Sequence, residues 1–247
     1  MAATRLPHQH TLMSKRNKLM KFAEMAAFPN VYENFDVGRP VLHTAGKEVE
    51  MTGRWAEGHF GNNNPITLEL ACGRGEYTLG LARMYPDRNF IGVDIKGARI
   101  WKGAHIALEE GLPNAAFLRT RIELLEQFFQ AGEIAEIWIT FPDPFLRNSK
   151  SNRRLTSPKF LETYQRLLPS GGKVHLKTDS PELYEFSLET LEAAPEIQIL
   201  AQNSDIYAGD LPLPELALKT YYENMHLADG KTIKYLCFRW AGERSCL

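Results

Sequence analysis

Apolar and polar positions follow no regular period over the first sixty residues, where Pro29, Gly38, Pro40, Gly46, Gly53 and Gly58 interrupt the chain. A basic stretch from Lys15 to Ala27 has the length and composition of one short helix. From Pro65 onward the pattern becomes regular. Ile66-Thr-Leu-Glu-Leu-Ala71 is a short apolar run closed by a glycine turn, and reads as a buried strand. A helix is predicted from about Glu76 to Tyr85, a second strand at Phe90–Asp94, and a helix through Trp101 to Glu110. Further strands are predicted at Ala115–Arg119, Glu136–Phe141, Lys173–Lys177, Ile197–Ala201 and Ile233–Phe238. Helices around Leu124–Phe129, Ser157–Leu168 and Pro181–Ala193 separate most of them. This alternation predicts an α/β fold: a doubly wound, mostly parallel sheet of seven strands with helices on both faces. Residues 1–60 are expected to be an irregular basic extension, and 61–247 the domain itself. Ligands of such sheets bind beyond the strand C-termini, which directs attention to the segments after Ala71, Asp94, Arg119, Phe141 and Thr178.

Composition narrows the class. The 247 residues are 44% hydrophobic and 24% charged, with a formal net charge of −1, which excludes collagen, a coiled coil or a mostly disordered chain. No apolar run approaches the roughly 18 residues of a membrane span, and no apolar signal region stands near Met1, so no membrane partner is expected. Cys72, Cys237 and Cys246 are too few and too scattered for a disulfide framework; reduced thiols in the cytoplasm are expected. No C-x-x-C or H-x-x-x-H pair is present, and no metal is expected. The near-neutral total conceals two acid-free basic runs. One holds Lys15, Arg16, Lys18 and Lys21; the other holds Arg147, Lys150, Arg153, Arg154 and Lys159. Two such runs on a neutral protein suit an anionic polymer.

The turn Cys72-Gly73-Arg74-Gly75-Glu76 lets the backbone approach a ligand closely. Asp94 ends the next strand 21 residues after Gly73, where an acid accepts hydrogen bonds from ribose hydroxyls. Thr78 stands where a dinucleotide fingerprint wants a third small residue, and Glu69 and Glu76 flank a turn that a pyrophosphate would want uncharged. An acidic first turn suits a cationic cofactor instead, and S-adenosylmethionine carries both a sulfonium and an ammonium, with Glu69 facing that end. A structural role for Glu69, bonded to loop N–H groups, is the alternative. In Thr140-Phe-Pro-Asp143-Pro-Phe145, two prolines stiffen the loop around one carboxylate. A carboxylate only accepts hydrogen bonds, and the N1–H and N2–H2 edge of guanine supplies two donors.

Five segments occur in a fixed order: Leu-Glu-Leu-x-x-Gly-x-Gly, Phe-Ile-Gly-Val-Asp, Phe-Pro-Asp-Pro with its Arg153-Arg154 tail, Lys177-Thr-Asp179 and Thr220-x-Tyr222-Glu223. Together they resemble the bacterial tRNA (guanine-N7-)-methyltransferase family over roughly residues 66 to 240. The resemblance implies a Rossmann-like class I methyltransferase fold, S-adenosylmethionine as methyl donor and guanine 46 of the tRNA variable loop as target. It implies that Glu69, Gly73, Gly75, Asp94, Thr120, Arg121 and Asp143 hold the cofactor and that Asp143 is catalytic. Arg147, Asp179, Thr220, Tyr221, Tyr222 and Glu223 would then contact the guanosine. Ser149, Lys150, Ser151, Asn152, Arg153 and Arg154 would lie on tRNA, in a monomer or homodimer. Three positions depart from the family pattern: Phe145 replaces a tryptophan, Arg121 replaces a small polar or acidic residue, and the basic tail is thinner. Two other readings are a methyltransferase of another substrate class and a non-catalytic RNA-binding protein on the same fold.

Overall fold

The computed structural model describes residues 19–241, Phe35 excepted. Lys15, Arg16, Lys18 and Cys246 lie outside the described residues; of the expected basic helix, residues 19–25 are helical. The seven expected strands are all present: β4 (Ile66–Leu70), β5 (Asn89–Asp94), β6 (Ala115–Arg119), β7 (Ile134–Thr140), β8 (Lys173–Thr178), β9 (Ile197–Asn203) and β10 (Lys234–Trp240). Three more precede them where the sequence reads as irregular: β1 (Val31–Glu33), β2 (Leu42–Thr44) and β3 (Lys47–Val49). The resulting ten-stranded sheet runs β3-β2-β1-β6-β5-β4-β7-β8-β10-β9. Strands β1, β6, β5, β4, β7 and β8 are parallel to their neighbours in that row, and β10 is antiparallel to both β8 and β9.

Successive residues of the central strands feed opposite faces, as a pleated strand requires. Leu68, Leu70, Ile91, Val93, Ile137 and Ile139 join one apolar core, against α3 (Pro158–Leu167) and α4 (Pro181–Glu192). Phe90, Phe117, Trp138 and Tyr235 join the other, against α1 (Glu76–Met84) and α2 (Gly97–Glu109). The segment expected as a helix around Leu124 is a 3-10 turn, Ile122–Gln127. A last helix, α5 (Tyr221–Ala228), precedes β10.

The described residues that precede β4 are tied into this body. β1 pairs in parallel with β6, and Glu33 accepts from Arg119 at 2.8 Å. Trp55 is fully buried, donates to the Phe128 carbonyl at 2.7 Å and stacks on Phe129. Strand order reverses between β4 and β7, so their C-terminal ends flank the crevice where this topology places ligands.

Candidate active site

Two clefts open at that crevice, about 580 Å³ and 890 Å³ in volume, and both are walled by Lys96, Arg99, Phe141, Pro142 and Asp143. The β7 loop therefore stands between two chambers, and Asp143 borders each.

The first cleft gathers the strand ends Ala71, Asp94, Thr120 and Arg121 with Phe145 and Arg153. Asp94 is 8% exposed, and its two carboxylate oxygens accept from the N–H of Gly73 at 2.9 Å and of Lys96 at 2.8 Å. A carboxylate has about four lone-pair sites, so two remain to accept from a pair of hydroxyls. The Thr120 hydroxyl is buried and has no partner among the described residues. A buried unpaired hydroxyl on a cleft wall is a group awaiting a polar ligand atom. Gly73 and Gly75 both hold positive φ, 58° and 67°. At Gly75 a Cβ would lie 2.4 Å from the Phe117 ring, so the turn can come this close to β6 only with glycine.

Glu69 is placed differently. It is 3% exposed and borders neither cleft. It accepts from the Thr78 N–H at 2.8 Å, from the Thr78 hydroxyl, and from the Thr140 hydroxyl at 2.7 Å. Burial raises its pKa to about 7, against the lowering effect of those donors. In this arrangement Glu69 joins β4, α1 and β7 behind the wall.

Three residues other than glycine hold positive φ at the site: Ala71 (58°), Phe141 (48°) and Phe145 (41°). Each such residue costs on the order of 1–3 kcal/mol, and strain of this kind collects at functional sites. The Asp143 carboxylate accepts from the Phe145 N–H at 3.0 Å, closing a tight turn across Pro144.

The second cleft contains Asp179 and Tyr222 with His226, Lys231 and Lys234. Asp179 meets the Lys231 ammonium at 2.7 Å and the His226 Nδ1 at 3.5 Å. Tyr221 and Tyr222 are 49% and 41% exposed and meet edge to face at 5.6 Å. The Arg74 and Arg99 guanidiniums lie 5.2 Å and 6.0 Å from their ring centres. Aromatic rings beside cations form a surface on which a base can stack.

Thr220 and Glu223 serve the helix. The Thr220 hydroxyl accepts from the Glu223 N–H, while the Glu223 carboxylate accepts from the Thr220 N–H, a capping box that starts α5. Glu223 is wholly buried, 2.8 Å from the equally buried Lys177 ammonium, and takes the Tyr207 hydroxyl at 2.6 Å. Lys177 also donates to the carbonyls of Leu216 and Leu218. Burial lowers the Lys177 pKa, which the Glu223 charge opposes. Neither Thr220 nor Glu223 lines either of these two clefts. The Thr-x-x-Glu spacing is itself a helix-start signal.

Of the expected RNA contacts, Ser149, Lys150, Asn152 and Arg153 are exposed and Ser151 is half-buried, all on a 3-10 turn, Asn148–Arg153. Arg147, just before it, is exposed and borders neither cleft. Arg154 is only 6% exposed and turned inward, so little of it is left for a phosphate. Lys96 and Arg99, which wall both clefts, carry no signal that separates them in sequence from ordinary basic residues at the start of a helix.

A family model described as a putative methyltransferase matches residues 63–236. A tRNA (guanine-N(7)-)-methyltransferase of Bacteroides thetaiotaomicron is 47% identical over 224 residues, covering 91% of this chain and 86% of its own. A protein of the same name from Porphyromonas gingivalis is 48% identical over 225 residues, covering 90% and 88%. One from Listeria welshimeri is 36% identical over 195 residues, covering 77% and 86%. Among solved structures, the 16S rRNA methyltransferase KamB superposes with a TM-score of 0.58 at 17% identity, covering 77% of this chain and 94% of its own. That likeness shows a shared fold.

Proposed function

The chain belongs to the tRNA (guanine-N(7)-)-methyltransferase family, and we propose that it methylates N7 of guanine 46 in the tRNA variable loop, in the cytoplasm, with S-adenosylmethionine as donor. The observation that carries this reading is Asp143, held on a stiff loop that borders both clefts. One cleft suits the donor and the other the base, and the shared wall is where the two meet.

The first cleft fits the donor by its chemistry. Asp94 has acceptor capacity for ribose hydroxyls, and Thr120 offers its unpaired hydroxyl. Gly73 and Gly75 bring the backbone close, and Arg121 stands at the mouth. Bound there, S-adenosylmethionine supplies a methyl group activated by a positively charged sulfur. Guanine N7 carries an in-plane lone pair, so no proton has to be removed before it attacks. The work of the protein is therefore positional: Asp143 and Asp179 accept from the base edge, and Tyr222 offers a face. A fixed carboxylate also stabilises the positive charge that grows on the base during transfer. Arg147, Ser149, Lys150, Ser151, Asn152 and Arg153 would meet the tRNA backbone, setting register without reading sequence.

The test is tritium transfer from S-adenosylmethionine to unmodified tRNA, followed by chain cleavage at 7-methylguanine. Cleavage at nucleotide 46, absent when that guanine is replaced by adenine, is the expected result. Label without cleavage there would point to another acceptor. On the donor side, Asp94→Ala should weaken S-adenosylmethionine binding by roughly 1.5–3 kcal/mol, the worth of hydrogen bonds to a charged group. Titration calorimetry on a folded variant with parental affinity would remove Asp94 from the donor site.

A further inference from the structure

Beside Lys150 and Arg153 in sequence, Arg154 has a different setting. Its Nε donates to the Pro144 carbonyl at 3.0 Å and its Nη2 to the Phe145 carbonyl at 3.2 Å. Its guanidinium lies 4.4 Å from the centre of the Phe186 ring on α4. The prolines stiffen the loop that it reaches, and the Phe141 N–H ties its start to the Lys177 carbonyl at 2.8 Å, but beyond that point few backbone donors are left to anchor it. Pro142 and Pro144 carry no N–H, and Phe141 and Phe145 hold left-handed backbone. Within the loop, the Phe145 N–H is bonded to the Asp143 carboxylate. The carbonyls at 144 and 145 take their donors from Arg154. A planar fork can serve two successive carbonyls at once, whereas an ammonium is a single point of charge.

We propose that Arg154 is a positioning residue for methyl transfer: it fixes the loop so that Asp143 borders both clefts, and it is not a ligand of tRNA phosphate. Its aromatic support from Phe186 makes α4 the anvil against which the loop is held. Arg153 and Lys150 remain exposed and available to the polymer.

The kinetic arm of the test rests on the proposed activity; a second arm does not. Arg154→Lys keeps the charge and loses the fork, whereas Arg154→Gln loses the charge. Both are made in the full chain, with Lys150→Ala for comparison. Hydrogen exchange of the peptide 141–147, with no ligand added, should accelerate in both Arg154 variants. Single-turnover methyl transfer should slow by about 10- to 100-fold in both, the scale of a small misplacement of a reacting group. The log–log salt slope of tRNA binding should stay parental in both, while Lys150→Ala lowers it by about 1. A phosphate ligand behaves in the opposite way: Arg154→Lys then keeps its rate and loop protection, and Arg154→Gln flattens the salt slope. Either of those outcomes overturns the proposal. If Arg154→Gln does not fold, Arg154→Lys decides alone. If the parent protein methylates no tRNA, the exchange measurement still decides the role of Arg154, and only the activity reading has failed.

Discussion

Asp143→Asn should lower the single-turnover rate of methyl transfer by on the order of 10²–10³, the usual cost of losing one preorganised electrostatic partner. The substitution isolates charge from shape. The side-chain oxygen that accepts the Phe145 N–H is retained in asparagine, so the turn across Pro144 is kept. What disappears is the negative charge between the clefts, and an amide donor now faces one of them. Because N7 carries no proton to be removed, the residual rate should keep the parental pH profile between pH 6 and 9. Rapid-quench measurements on unmodified tRNA across that range give the answer. A parental rate would reduce Asp143 to a turn-forming residue, and the division of labour between the clefts would lose its centre.

The second large effect concerns stability. Lys177 and Glu223 are both fully buried and 2.8 Å apart, joining β8 to α5. Removing one partner of such a pair typically costs about 3–5 kcal/mol, because the other charge is left buried without compensation. Lys177→Met should therefore lower the unfolding free energy by about that amount, with the Glu223 carboxylate stranded. Adding Glu223→Gln should restore much of the loss, since the amide still accepts from Tyr207. Urea unfolding of the parent, the two single variants and the double variant completes the cycle. Activity should fall in the single variants too, because α5 carries Tyr222 and His226 into the second cleft. A loss below about 1 kcal/mol, the range of an exposed pair, would mean that the pair does not hold α5 in place.

What could be read from the sequence follows from burial. Strands β4 to β7 are largely covered on both faces, so they appear as mostly apolar runs between turn signals, whereas β8 alternates Val174 and Leu176 with polar residues. Val-Tyr-Glu, Leu-His-Thr and Lys-Glu-Val are too short and too mixed to show any period, so β1, β2 and β3 leave no signature in the sequence. The place of Asp94 at the end of β5 was legible from its distance to Gly73. The direction of a charged side chain was not: Arg153 and Arg154 are adjacent and chemically identical, yet one faces solvent and the other a pair of carbonyls. Glu223 illustrates the same blindness, since a carboxylate in a motif can serve a ligand or a helix end. The left-handed Ala71, Phe141 and Phe145 had no glycine to mark them.

The pairing of β1 with β6 also imposes an order on assembly during translation. Val31 is in register with Phe117, whereas Ile66 in the centre of the sheet meets Asn89. At roughly 5–20 residues per second, β1 is made on the order of 4–17 s before its partner strand. The hairpin of β2 and β3 offers little shelter meanwhile, since an isolated two-stranded hairpin is at best marginal in water. Tyr32, Met51 and Trp55 thus wait uncovered until the chain beyond β6 has been synthesised. The segment made early is secured late, and a ribosome that pauses before Phe117 holds out β1 as an unpaired arm for chaperones and proteases.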